Sequence, residues 1–234
     1  MSTIFRFKQF AINQENASLK VGTDAMVLGA FCSFPAAEYA LDVGTGTGVL
    51  SLMVAQTHPN LFIHAIDIDE QNCLLAKENV QNSPFYNRIS VIHEDIFKFS
   101  TKNKYDLIFS NPPFHFNSLK SIENRISQAK HLSIEQFDGF IGRLSKLLSK
   151  KGKIIMIIRH EHLDDISSCL NKHKLFLNEI ILIFGKPASK KRLIITCSNS
   201  TSSFEEKEFT IRDSFGRFSK EYIEKTKEFH FTKL

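Results

Sequence analysis

The chain of 234 residues contains no tryptophan and only four cysteines, Cys32, Cys73, Cys169 and Cys197, which stand far apart with no C-x-x-C pair. Isolated thiols in apolar settings are usually small core residues, so the expectation is a reducing cytoplasm with neither disulfides nor a zinc site. No run of about 18 apolar residues occurs, so no transmembrane helix and no membrane partner are expected. Residues 1–9 carry Arg6 and Lys8 and no apolar stretch, and they do not read as a secretory signal. There is neither a low-complexity linker nor an internal repeat. The one excess, 22 phenylalanines, reads as a compositional habit that points to no function.

The apolar share of 42 % and the length suit one large α/β domain with small additions. The segment 1–34 would cap the site, 35–200 would form the sheet-and-helix core, and 201–234 would be a C-terminal extension. The formal charge of +5 permits an anionic partner without demanding one.

Alternating phenylalanines over Ile4 to Gln14 predict a short strand or hairpin. Lys20-Val21-Gly22-Thr23-Asp24 is a turn before a helix over Ala25 to Phe34, with Thr23 or Asp24 as its ordinary cap. Next, Ala40-Leu41-Asp42-Val43-Gly44-Thr45-Gly46-Thr47-Gly48 reads as a strand entering a glycine turn at a helix start. Such a turn lets a ligand reach free backbone N–H groups. A dinucleotide fingerprint needs a further glycine where Val49 stands, and a pyrophosphate is repelled by Asp42. A zwitterion carrying a sulfonium and an ammonium is not.

The strand Leu61 to Asp67 ends in an acid about 20 residues past the glycines, where a carboxylate can take a ribose diol. Asp69 suits a helix cap better. A third strand, Ile89 to Ile96, carries Asp95 near its end, as an acceptor for an adenine amino group or a plain surface acid. Tyr105 to Phe109 is a fourth strand, and it runs into Ser110-Asn111-Pro112-Pro113-Phe114. Proline lacks an N–H and has a fixed φ, so the ladder must stop there. The Asn111 side-chain oxygen and the Pro112 carbonyl remain as two acceptors beside the ring of Phe114, a set that suits a planar amine.

From His115 to His131 a polar loop follows. A capping box at Ser133 to Gln136 then opens a helix stopped by Gly152, and Lys153 to Ile158 is a fifth strand. His160, Glu161 and His162 read as a surface turn, and no metal is expected. Asn178 to Gly185 and Arg192 to Cys197 are strands too closely joined to be parallel. Glu208 to Arg212 and Ser219 to His230 read as a last strand and helix.

Asp42 to Gly48, Asp67, Asp95 and Asn111 to Phe114, in that order, resemble the class I S-adenosylmethionine-dependent methyltransferases of the N-P-P-[FY] amino type. More narrowly, Phe5 to Phe10, Lys20 to Asp24, Ala129-Lys130-His131 and the ending Tyr222…Phe229-His230-Phe231 resemble bacterial methyltransferases of adenine 37 in valine tRNA. The resemblance implies a Rossmann-like seven-stranded α/β sheet, mostly parallel, with an antiparallel C-terminal pair and helices on both faces. It implies S-adenosylmethionine as cofactor, held by Gly22, Thr23, Asp24, Asp42, Gly44, Gly46, Gly48, Asp67, Asp95 and Asn111. It implies catalysis by Asn111, Pro112 and Phe114, with tRNA as partner. Arg125, Lys130, Lys186, Lys190, Lys191 and Arg192 are the expected RNA contacts, and a monomer is favoured. The same motif serves enzymes acting on ribosomal guanine or on a protein glutamine, and a module that binds donor or RNA without turnover is a rival of another class.

Overall fold

Strands that are apolar on both faces need a layer of helices above and below. The computed structural model, which describes residues 3–15, 17, 19–112, 134–186 and 190–231, supplies both layers. A hairpin of β1 (Ile4–Arg6) and β2 (Ala11–Asn13) comes first, pairing Phe5 with Ile12. Then follow α1 (Thr23–Phe31), β3 (Tyr39–Val43), α2 (Val49–Thr57), β4 (Phe62–Asp67), α3 (Glu70–Gln81), β5 (Ile89–His93) and β6 (Tyr105–Ser110). The second half holds α4 (Ile134–Leu147), β7 (Leu148–Arg159), α5 (Leu163–Lys172), β8 (Phe176–Phe184), β9 (Lys190–Ser198), β10 (Glu205–Thr210) and α6 (Lys220–Thr226).

The main sheet has the order β10-β8-β9-β7-β6-β3-β4-β5. Among the described residues of this sheet only β9 runs against its neighbours, β7 and β8, and the other pairings are parallel. Side chains alternate between two cores. Ile155 and Ile157 of β7 face α1, α2 and α6, whereas Ile154, Met156 and Ile158 face α4 and α5. Phe7 and Phe10 from the hairpin, and Tyr222 and Phe229 from the tail, join the first core.

The expected α/β sheet with an antiparallel C-terminal pair is present, and an eighth strand extends it at one edge. That strand, β10, begins three residues before the predicted Glu208, because its residues Glu205 to Glu208 are exposed and only Phe209 is buried among its apolar positions. Charge on an edge strand discourages further pairing, and it also conceals the alternation.

Several boundaries moved. Helix α1 starts at Thr23 with Gly22 as its N-cap and no side-chain cap, so neither Thr23 nor Asp24 serves that role, and it ends at Phe31 rather than Phe34. Strand β5 ends at His93, which leaves Asp95 in the following turn. Gly152 does not stop α4: the helix ends at Leu147 and β7 begins at once. Gly152 lies inside β7, where an added Cβ would come within 2.7 Å of the Tyr105 carbonyl oxygen and 2.8 Å of Leu148 Cδ1. The tail helix is shorter than expected, capped by Ser219, whose hydroxyl accepts from the Tyr222 N–H. Ser133 of the predicted capping box lies outside the described residues.

Candidate active site at the carboxyl edge of the sheet

Ligands of open α/β sheets bind beyond the carboxyl ends of the strands. Here β3, β4 and β6 end side by side, with Asp42 opposite both Ala65 and Phe109. The Ser110 hydroxyl donates to the Val43 carbonyl at 2.7 Å and ties the end of β6 to that of β3. This bond sets Asn111 beside the glycine turn.

All three glycines of the turn have left-handed backbones, with φ of 75° at Gly44, 56° at Gly46 and 80° at Gly48. Any side chain there is strained. A Cβ built on Gly44 or Gly46 meets nothing within 4 Å, so both face open space, whereas at Gly48 it meets Ala76 of α3 at 3.4 Å. The first two glycines line a cradle and the third packs α2 against α3.

Asp42 is fully buried. Its Oδ2 accepts from the Thr45 and Ser51 hydroxyls, each at 2.7 Å, which fastens the turn to α2. Its Oδ1 is buried with no hydrogen-bond partner among the described residues. Burial pushes the carboxyl up to about 6, against the pull of the Ser51 and Thr45 hydrogen bonds. A buried acceptor left without a donor is costly, and a ligand cation relieves that cost. Thr45 and Ser51 escaped notice in the sequence. The available signal was a serine in the apolar run Val49-Leu50-Ser51-Leu52-Met53.

Asp67, at the end of β4, accepts the Gly46 N–H on Oδ2 at 2.8 Å and the Asp69 N–H on Oδ1 at 3.0 Å. A weaker contact comes from Asn72 Nδ2 at 3.4 Å. A carboxylate offers about four lone-pair sites, so Asp67 can hold the glycine turn and still receive a ligand hydroxyl. Asp69 is the N-cap of α3, accepting from the N–H groups of Gln71 and Asn72. Asp95 is partly buried, and its Oδ1 accepts the Phe97 N–H at 3.0 Å.

Asn111 and Pro112 are partly exposed beyond β6, and no hydrogen bond to a described residue holds the Asn111 side chain. Gly22 and Thr23 are exposed at the start of α1. Asp24 joins Arg192 of β9 in an ion pair of 2.9 Å. Because β9 is antiparallel, its beginning lies at the carboxyl edge: Arg192 pairs with Arg159, three residues beyond the level of Met156 and Ser110. The pair therefore brings the start of α1 to the same edge as the glycine turn, and it engages a side chain expected to face RNA. Lys186 is exposed at the end of β8. Phe114, Arg125 and Lys130, and the side chains of Lys190 and Lys191, lie outside the described residues.

Asn79, also unanticipated, is buried in α3. It accepts the Asn13 N–H at 2.8 Å and donates to the Asn13 and Thr47 carbonyls, each at 2.9 Å. It stitches the N-terminal hairpin to the glycine turn. Burial pushes the Cys73 thiol up to about 11 and the Cys197 thiol up to about 12, far from a nucleophilic thiolate at neutral pH.

The room over Gly44 and Gly46, the unpartnered Asp42 oxygen and the remaining capacity of Asp67 fit a donor with an ammonium at one end and a ribose at the other. The methyltransferase small domain family matches residues 19–173. A relative from Bacteroides thetaiotaomicron called tRNA1(Val) (adenine(37)-N6)-methyltransferase is 33 % identical, over 97 % of this chain and 96 % of its own length. One of the same name from Pedobacter heparinus is 41 % identical over 68 % of each chain. A solved structure from Agrobacterium tumefaciens, described as a predicted O-methyltransferase, has a TM-score of 0.68 at 16 % identity and covers 88 % of this chain and 96 % of that one, a likeness of fold. With the family's match over most of the sheet and full-length relatives at a third identity, the chain belongs to the S-adenosylmethionine-dependent methyltransferases of the methyltransferase small domain family.

Proposed function

We propose that this protein methylates the exocyclic amine of adenine 37 in the anticodon loop of a valine tRNA. The observation that carries the reading is the position of Asn111, an amide with no described hydrogen-bond partner tied through Ser110 to the edge of an open glycine cradle. Relatives matching nearly the whole chain and named for this reaction supply the substrate.

S-adenosylmethionine, when bound, supplies a methyl group activated by the sulfonium. Asp42 and the segment Gly22 to Asp24 would receive its methionine end, Gly44 and Gly46 would let it approach the backbone, Gly48 would hold the turn against α3, and Asp67 and Asp95 would receive ribose and adenine. The amine of adenine is a poor nucleophile because its lone pair is delocalised into the ring. Asn111 Oδ1 and the Pro112 carbonyl would accept its two N–H groups and favour a more tetrahedral nitrogen, whose lone pair is then free to attack. This is positioning together with stabilisation of the positive charge that develops on nitrogen. No general base is needed beforehand, since the surplus proton can pass to solvent after transfer.

Phe114 would stack on the target base. An anticodon-loop base is already unpaired, so presenting it costs less than extrusion from a duplex. Lys186, with Lys190, Lys191, Arg125 and Lys130, would meet phosphates, whereas Arg192 would act through its ion pair with Asp24. The protein would work as a cytoplasmic monomer. Among the described residues no helix is long and apolar enough to cross a membrane.

Incubation with labelled S-adenosylmethionine and, separately, valine tRNA, ribosomal RNA and a release factor tests the substrate. Label should enter only the tRNA. Transfer to guanine or glutamine, or to nothing, contradicts the reading.

A further inference from the structure

Past the carboxyl end of β10 the chain makes a turn, residues 211–219, that the chemistry above does not use. An antiparallel bridge between Arg212 and Phe218 closes it. Asp213 organises its interior: Oδ1 accepts the N–H groups of Phe215 at 2.9 Å and Arg217 at 3.0 Å. The Asp213 N–H donates to the Arg217 carbonyl, and the Gly216 N–H donates to the Asp213 carbonyl. Gly216 takes φ of 82°, and the Arg212 guanidinium donates to its carbonyl at 2.7 Å while lying 4.3 Å from the Phe218 ring centre. Bonds along the chain, rather than burial of the tip, hold this turn together.

Phe215 sits at that tip and is 82 % exposed, more than any other large apolar side chain among the described residues. Single exposed apolar residues are ordinary on a surface. This one is held out by a built turn, and the Arg217 guanidinium, bound in turn to Asp213 at 3.0 Å, lies 5.2 Å from the ring centre.

Place matters as much as exposure. Strand β10 runs parallel to β8, and both run in the direction of β6, so the turn rises from the same edge of the sheet as Asn111. Four strand spacings separate β10 from β6, about 19 Å across the sheet. Thr210 pairs with Phe184, and exposed Lys186 follows Phe184 by two residues where the neighbouring strand ends. An aromatic ring backed by a guanidinium and flanked by cations is the composition that binds unpaired nucleotides, because every base has a face to stack.

We infer that Phe215, backed by Arg217, is a stacking platform for an unpaired base of the RNA substrate other than the one methylated. This rests on the reading of tRNA as substrate and adds a second anchor to it. At that distance from Asn111 the platform orients the RNA and takes no part in the transfer, so it acts on binding and leaves the chemical step alone.

Phe215→Ala and Phe215→Tyr test this in the full-length protein with valine tRNA. Phe215→Ala should raise the Kd and KM for tRNA about ten-fold, the scale of a lost base–aromatic stack, with kcat and calorimetric donor affinity unchanged. Phe215→Tyr, which keeps a ring, should restore most of the affinity. An unchanged tRNA Kd in Phe215→Ala overturns the platform, as does a change in sedimentation with RNA affinity intact, which would assign the ring to contact between proteins. Wild-type protein that neither binds nor methylates tRNA would instead refute the substrate reading, and the platform with it.

Discussion

An amide with no hydrogen-bond partner among the described residues has its donor and acceptor capacity to offer a substrate, and Asn111 is in that condition at the edge of the glycine cradle. Asn111→Ala should leave donor affinity by calorimetry near wild type and lower kcat by about 10²–10³-fold, the scale of losing one well-placed hydrogen-bond partner to a transition state. Near-normal turnover would remove Asn111 from the chemistry. Asp42 gives a second test. With its carboxyl raised to about 6, the donor-free folded protein holds a proton between the ordinary carboxyl range and that value which the unfolded chain has lost. On this group's account, stability of the donor-free protein falls as pH rises through the window. A donor ammonium favours the ionised form, so donor affinity should drop as pH falls below about 6, with proton release on binding that Asp42→Asn abolishes. At this scale the sequence was informative wherever a residue type has few uses. Two prolines must end a strand, and an acid before three glycines rejects a pyrophosphate. It was silent on Thr45, Ser51 and Asn79, because nothing in a hydroxyl or an amide says which distant group it will meet.

Secondary structure was legible where both faces of an element are buried. Strands β3, β4 and β6 are apolar along most of their length, and the short connection between β8 and β9 allows only an antiparallel pair. Legibility failed where tertiary contact overrides local pattern. Charged β10 is drawn into the sheet by Phe209, and Gly152 was read as a helix stop although its actual constraint is the backbone of β6. Gly152→Ala would press a methyl against the Tyr105 carbonyl, which cannot rotate aside as a side chain could. A loss of about 1–3 kcal/mol is expected from overpacking, read as a lower urea midpoint with an unchanged m-value. A midpoint equal to wild type would mean that β6 and β7 separate at no cost.

Taken whole, the molecule closes its two ends over one face of the sheet. Phe7 bridges to His230, the Lys8 N–H donates to the Phe229 carbonyl, and Phe229 is buried beside Tyr222 in the core that holds α1 and α2. The terminal segments should therefore unfold with the centre in one calorimetric transition. Phe229→Ala should cost about 3–5 kcal/mol, whereas breaking the exposed Lys8–Glu228 pair by Lys8→Ala should leave the transition close to that of wild type, because solvent screens the pair. Two separate transitions would show that the ends fold apart from the sheet. None of this closure was visible in the alternating phenylalanines, which predict a hairpin and not the surface it covers. The proposed reaction modifies one nitrogen on one base, so it is tested by nucleoside mass mapping of unmodified valine tRNA after incubation with this protein and S-adenosylmethionine. N6-methyladenosine should appear at position 37, and no methylation should occur when guanine replaces that adenine. A methyl group on a ring nitrogen or carbon, or at another position, would contradict the proposed reaction.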